Sequence, residues 1–242
     1  MYEASPFNRI LKQSAPGADW ALKPNTPYQE HVAEMEYLVN ETGVAGWKRG
    51  ESDFSDITYG AGQLYITVTK NENENETGTN RSVTREYKDK CGQVVMVENQ
   101  SGNSWNKTRY VYDDLGLLRC VVPPKATNPY ASSYCYYYNY DNRHRMVEKK
   151  VPGAEWQYLI YDKRDRLVMS QDGKMRLEDP NKWVLNCYDT LNRQVMTGIY
   201  RHSSAMNRAQ MQAHYDDHVI SLNESVNGTY DDTWHGYTRH VV

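Results

Sequence analysis

Four groups of residues have types and spacings that could do chemistry. His214 and His218 stand four apart in a stretch rich in helix formers, beside Asp216 and Asp217. Two imidazoles one helical turn apart can begin a metal site. Residues 71–80 (NENENETGTN) alternate oxygen-bearing side chains, the donors that calcium takes. Asp113-Asp114 and Asp231-Asp232 are paired carboxylates, the raw material of general acid–base catalysis. Cys91, Cys120, Cys135 and Cys187 could ligate a metal or pair with one another.

Each group falls short of a site. No third ligand is recognisable beside the two histidines, so they read as a surface pair. The polar run lacks the central Gly and final Glu of a helix–loop–helix calcium loop and reads as a solvated hairpin tip. Adjacent residues of a strand point to opposite faces, which keeps neighbouring aspartates from converging on one substrate. The cysteines read as buried or half-buried thiols on strands, with a Cys120–Cys135 bridge as the alternative. There is no Gly-x-Ser-x-Gly elbow, phosphate-cradling glycine loop, dinucleotide fingerprint or His-Glu-x-x-His. The expectation is a non-enzyme without cofactor or metal.

What repeats is a structural pattern. Tyr140-Asp141-Asn-Arg-His-Arg145, Tyr161-Asp162-Lys-Arg-Asp-Arg166 and Tyr188-Asp189-Thr-Leu-Asn-Arg193 share Tyr-Asp, two variable residues, a residue that tolerates positive φ, and Arg. An Asp at the first turn position accepts N–H groups ahead of it, and Gly, Asn, Asp or His enter the left-handed region most readily. A type I turn followed by such a residue makes a bulged hairpin. The tyrosine before and the arginine after the turn should then lie close on paired strands, where stacking is worth roughly 0.5–1 kcal/mol if exposed. Degenerate copies stand at Tyr112-Asp113-Asp-Leu-Gly116, at Asp89-Lys-Cys-Gly92 and at Ser5-Pro-Phe-Asn8-Arg9. From Asp89 the turn aspartates are 24, 28, 21 and 27 residues apart, a period that marks a repeat architecture.

These turns, with phrases such as Ala15-Pro-Gly-Ala-Asp-Trp20, Val151-Pro-Gly153 and Ser170-Gln-Asp-Gly173, resemble the YD repeats of the RHS family, in the form found in large surface or secreted proteins of Bacteroidetes. The resemblance covers residues 2–17 and about 81–200. It implies hairpins wound into a hollow shell that encloses a C-terminal polypeptide, often a toxin. The partners would be adjacent repeats and that C-terminal domain, at the cell surface or outside the cell. The family's aspartate-dependent self-cleavage motif has no match in this chain.

The elements that must hold these turns are strands. Apolar bulk comes from 21 Tyr against 2 Phe, which suits sheets with one wet face. A net charge of −3 gives no electrostatic case for nucleic acid, and no stretch is apolar enough to span a bilayer. The expected fold is all-β, antiparallel hairpin repeats in a curved sheet, with one short helix near residues 204–217 capped by Ser203 or Ser204. The expected organisation is a partial repeat, crossing segment and hairpin with a polar loop at 1–80, the repeat sheet at 81–200, and a helix and strand at 201–242. The chain reads as a piece of a longer polypeptide that leads into a further unit. Residues 31–40 alternate imperfectly and read as strand. The aromatic ladder Tyr134, Tyr136, Tyr138, with Trp156 and Trp183, could alternatively present a carbohydrate-binding face of an adhesion module.

Overall fold

The computed structural model describes residues 1–17, 32–51, 53–72, 82–131 and 133–218. The expectations for the crossing segment after residue 17, for the body of the polar run and for residues after 218, with Asp231-Asp232, lie outside the described residues. The chain divides into two compact units, Met1–Cys135 and Tyr136–Val242.

The first unit carries β1 (Lys12–Ser14), β2 (Val32–Val39), β3 (Val44–Arg49), β4 (Phe54–Tyr59), β5 (Tyr65–Lys70), β6 (Val83–Lys88), β7 (Val94–Ser101), β8 (Ser104–Tyr112) and β9 (Leu118–Val122). They are rich in Val, Ile, Thr and Tyr, which pack well on a pleated surface. The sheet is antiparallel in the order β1-β2-β5-β6-β7-β8-β9, while β3 and β4 pair with each other as a separate hairpin. That hairpin brings Val44 and Tyr59 onto a core of Leu64, Tyr87, Val95 and Met96, each such burial being worth about 1.5–3 kcal/mol. Glu98, 4% exposed, is tolerated because the Tyr87 hydroxyl donates to it at 2.9 Å and Lys107 pairs with it at 2.8 Å.

The second unit carries β10 (Tyr136–Tyr140), β11 (Met146–Lys150), β12 (Gln157–Tyr161), β13 (Leu167–Gln171), α1 (Gly173–Glu178), β14 (Lys182–Tyr188), β15 (Gln194–Arg201) and α2 (Arg208–His218). Its strands pair in sequence order, each antiparallel to the next. Ile160, Val168, Met169 and Trp183 of the sheet and Met211 and Tyr215 of α2 form its core.

The all-β antiparallel fold is as expected, but there are two helices where one was read. Helix α1 is too short for a period to show. It starts at Asp172, whose carboxylate accepts the Met175 N–H at 2.7 Å, and it needs Gly173, since a Cβ there would lie 2.3 Å from the Glu155 Cβ. Helix α2 begins later than Ser204. Asn207 and Gln210 form a reciprocal cap, each side chain accepting the other's N–H at 2.9 Å, whereas the Ser204 N–H donates to His202 Nδ1 at 3.1 Å. None of the four cysteines forms a disulfide: Cys120, Cys135 and Cys187 are buried thiols and Cys91 is exposed.

Candidate functional site: the turn lattice

Each turn is built on one carboxylate. Asp162 Oδ1 accepts the N–H groups of Arg164 and Arg166 at 2.8 and 2.9 Å, and Oδ2 takes Arg166 Nε at 2.7 Å. Its own N–H donates to the Arg166 carbonyl at 3.0 Å, and its carbonyl accepts the Asp165 N–H at 3.2 Å. Asp165 sits at φ 63, with His144 at 61, Asn192 at 62, Gly92 at 83 and Gly116 at 78 in the corresponding places. Asp89, Asp113, Asp141 and Asp189 repeat the backbone bonds and the Oδ1 contacts. The ladder shifts register just before each turn, between Tyr87 and Lys88, Val111 and Tyr112, Asn139 and Tyr140, Ile160 and Tyr161, and Cys187 and Tyr188. That shift is the bulge such a turn needs.

Successive turns also bond to one another. The Arg145 guanidinium stacks 5.0 Å over the Tyr161 ring, and Arg166 lies 4.9 Å over Tyr188. The stacking therefore runs from one turn to the next, which corrects the expectation of a pair within one hairpin. Arg145 Nη1 donates forward to the Asp162 carbonyl at 3.0 Å and pairs with Asp165 at 2.8 Å. Arg166 Nη1 repeats this on the Asp189 carbonyl and the Asn192 side chain at 3.4 and 3.2 Å. In return, the later turn's tyrosine donates to the carbonyl just after the earlier arginine, Tyr161 to Met146 and Tyr188 to Leu167, both at 2.9 Å. Arg193 ends the described series with its side chain 72% exposed, pairing with its own Asp189 at 2.7 Å.

The first unit holds the same device with substitutions. Gln93 stands in the arginine slot, and its Nε2 donates to the Gly116 carbonyl of the next turn at 3.2 Å. Gly116 enters the left-handed region at φ 78 without strain, and a Cβ there would displace the Gln93 amide from its bond. Tyr112 donates to the Val94 carbonyl at 3.0 Å, and Arg119 approaches Asp113 at 3.5 Å, two residues beyond the slot that Leu117 fills. At Ser5 the hydroxyl accepts the Phe7 N–H at 3.2 Å, and Glu3 holds the Arg9 guanidinium through two 2.8 Å bonds.

A further turn was missed in the sequence. Asn40 donates its N–H to the Leu64 carbonyl, and its side-chain oxygen accepts the Leu64 N–H at 2.8 Å. Its carbonyl accepts the N–H of Gly62, which has φ 71. These are the bonds of the aspartate turns, with the β3–β4 hairpin inserted inside. Tyr37 plays the tyrosine's part, donating to the Ile10 carbonyl at 3.1 Å with the Arg9 guanidinium 4.3 Å over its ring.

The carboxylates are set for structure. Burial works against ionising Asp141, but Arg145 and the N–H groups of Arg145 and Arg143 outweigh it and hold Asp141 below the usual carboxylate range. Asp189 is lowered chiefly by the Arg193 N–H. Arg9 lowers Glu3 to about 2. Burial raises the Tyr112, Tyr161 and Tyr188 hydroxyls, keeping them protonated donors.

The candidate ligand face is not assembled on one surface. Trp183 is 0% exposed, stacked with Tyr158 at 6.4 Å in the core, which corrects its assignment to an exposed face. Trp156 packs on Tyr137 at 6.1 Å, so it lies on the opposite face of β10 from half-buried Tyr136 and Tyr138. Tyr134 is exposed with Lys125 Nζ 4.8 Å over its ring. Among the described residues no three His, Cys, Asp or Glu side chains are grouped to hold a metal, and no helix is long and apolar enough to cross a membrane.

No family model matches the chain, and no curated protein matches it. Among solved structures it is similar to a Photorhabdus luminescens Tc holotoxin pore, with a TM-score of 0.43 and 11% identity over 85% of this chain. It is also similar to a complex of TcdB2, TccC3 and Cdc42, with a TM-score of 0.42 and 11% identity over 83% of this chain. The chain spans 12% of the length of each chain it matches.

Proposed function

We propose that this chain is a non-catalytic wall segment of an RHS-type YD-repeat shell that encloses or presents a polypeptide carried C-terminal to the repeats, toxin-like in kind, at the cell surface or outside the cell. The observation that carries the reading is the forward bonding of the turns. Arg145 and Arg166 each commit Nη1 to the next turn, and Tyr161 and Tyr188 answer backward. A row built this way has no natural stop of its own and favours growth by addition of like units. The turn carboxylates, the best candidates for acid–base work, are occupied by two backbone N–H groups each and, at Asp141, Asp162 and Asp189, by an arginine as well. That favours scaffolding over turnover.

The test is light scattering coupled to size exclusion, on the chain alone and with a panel of glycans. Self-association through unsatisfied sheet edges, without saccharide binding, is the expected result. A monodisperse monomer that binds a saccharide would overturn the shell reading in favour of a carbohydrate-binding adhesion module.

A further inference from the structure

Helix α2 is held on the sheet of its unit by three kinds of contact. Met211 and Tyr215 are buried among Ile160, Met169 and Trp183. Gln212 engages the main chain of Tyr161 on both sides, its Nε2 donating to the carbonyl at 2.7 Å and its Oε1 accepting the N–H at 3.1 Å. The third contact is made by imidazoles. The Tyr200 hydroxyl lies 2.8 Å from His214 Nε2. The His214 ring is flanked by His202 of the chain leaving β15, at 4.8 Å between centroids, and by His218, at 4.2 Å.

Among the described residues, the surrounding charges leave this cluster poorly compensated. On β15, Arg201 pairs with Asp179 at 3.1 Å. On α2, Arg208 faces Glu148 at 3.7 Å and Asp216 accepts from Gln212 at 3.2 Å. Residues 203–207 carry no titratable side chain. Asp217 is the carboxylate that acts on His214. It and the helix C-terminus, where the His214 carbonyl lies 2.8 Å from His218 Nδ1, can accommodate one positive charge. Further charges on rings in contact repel each other without relief.

We propose that Tyr200, His202, His214 and His218 form an acid-sensitive latch, in which neutral rings hold α2 on the sheet and protonated rings drive it off, uncovering Ile160, Met169 and Trp183. Burial first, then the facing His218 and His202, keep the His214 pKa below the ordinary imidazole value, with Asp217 pulling the other way. A group lowered on folding binds its proton more readily in the unfolded or released state. The latch is therefore fully closed above about pH 6.5 and weakens as pH falls below it. Carboxylates titrate lower, near pH 4, so this window belongs to histidine. The latch rests on contacts within the second unit and stands whether or not the shell reading does.

Hydrogen exchange of the amides at 208–218 in the full chain, corrected for the intrinsic pH dependence of exchange, tests it. Between pH 7.5 and 5 protection should fall by roughly threefold or more, because the released state binds protons more readily as pH drops. His214→Gln keeps an acceptor for Tyr200 and no charge, so its protection should change less than about twofold over the same range. If His214→Gln is already unprotected at pH 7.5, His202→Gln takes its place and must shrink the acid-induced fall. Wild-type protection that is flat from pH 7.5 to 5, or a fall unchanged in the variants, overturns the latch.

Discussion

Asp162 shows what a single turn residue contributes. It is 1% exposed and its partner Arg166 is 9% exposed, so removing the carboxylate strands a guanidinium away from water. Seen only as a turn cap, Asp162→Ala would cost about 0.5–2 kcal/mol. With a buried partner left uncompensated, the expected loss is roughly 3–5 kcal/mol. Asp189→Ala should cost clearly less, because Arg193 is exposed and can return to solvent. Urea denaturation of both variants decides it, and equal midpoints would contradict the assignment. The turn aspartates and the positive-φ residues were legible in the sequence, since an Asp bonding its own following N–H groups is local chemistry. The forward reach of Arg145 to Asp165, twenty residues on, was not, because no spacing rule says which turn lies beside which. The burial of Trp183 was equally hidden: an aromatic at the start of a strand reads alike whichever way it faces.

Among the elements, the strands were easier to read than the helices. Alternating Tyr, Val, Ile and Thr between turn signals locates the strands, and the imperfectly alternating stretch read at 31–40 does contain β2 at Val32–Val39. Helix α1, with six residues, is too short to display a period. Helix α2 has a weak apolar stripe, and serine upstream competed with Asn207 as its start. Asn207→Ala removes one half of the reciprocal cap and should lower stability by about 0.5–2 kcal/mol, with the loss confined to helical signal in circular dichroism before the sheet unfolds. Ser204→Ala serves as the contrast and should leave the thermal midpoint in place. A loss at Ser204 equal to that at Asn207 would move the helix start back.

For the whole molecule, the repeat pattern was visible, but one member was disguised. Asn40 and Gly62 are separated by a complete hairpin, so no window of sequence shows them as one turn. Yet the Asn40 side chain bonds Leu64 as Asp89 bonds Gln93, and the strands on either side, β2 and β5, pair over six positions from Glu34–Lys70 to Val39–Tyr65. Replacing residues 41–61 with two residues such as Asp-Lys should therefore leave a folded sheet with β2 and β5 still paired. It should also lose the cover that Val44 and Tyr59 give the Leu64 core, seen as added binding of a hydrophobic dye. Unfolding of residues 32–70 in hydrogen exchange would show that the hairpin is essential to the pairing.

The disguised turn says something about how such chains acquire new parts. Its mouth is closed by hydrogen bonds from Asn40 and Gly62, so the pairing of β2 with β5 is set without the chain that lies between them, although that chain packs on the core beyond. A loop closed in this way is a port: chain can be spliced in, lengthened or exchanged there while the sheet keeps its register. The other turns share the same closing bonds, and each is a place where an engineer could graft a new module onto the sheet.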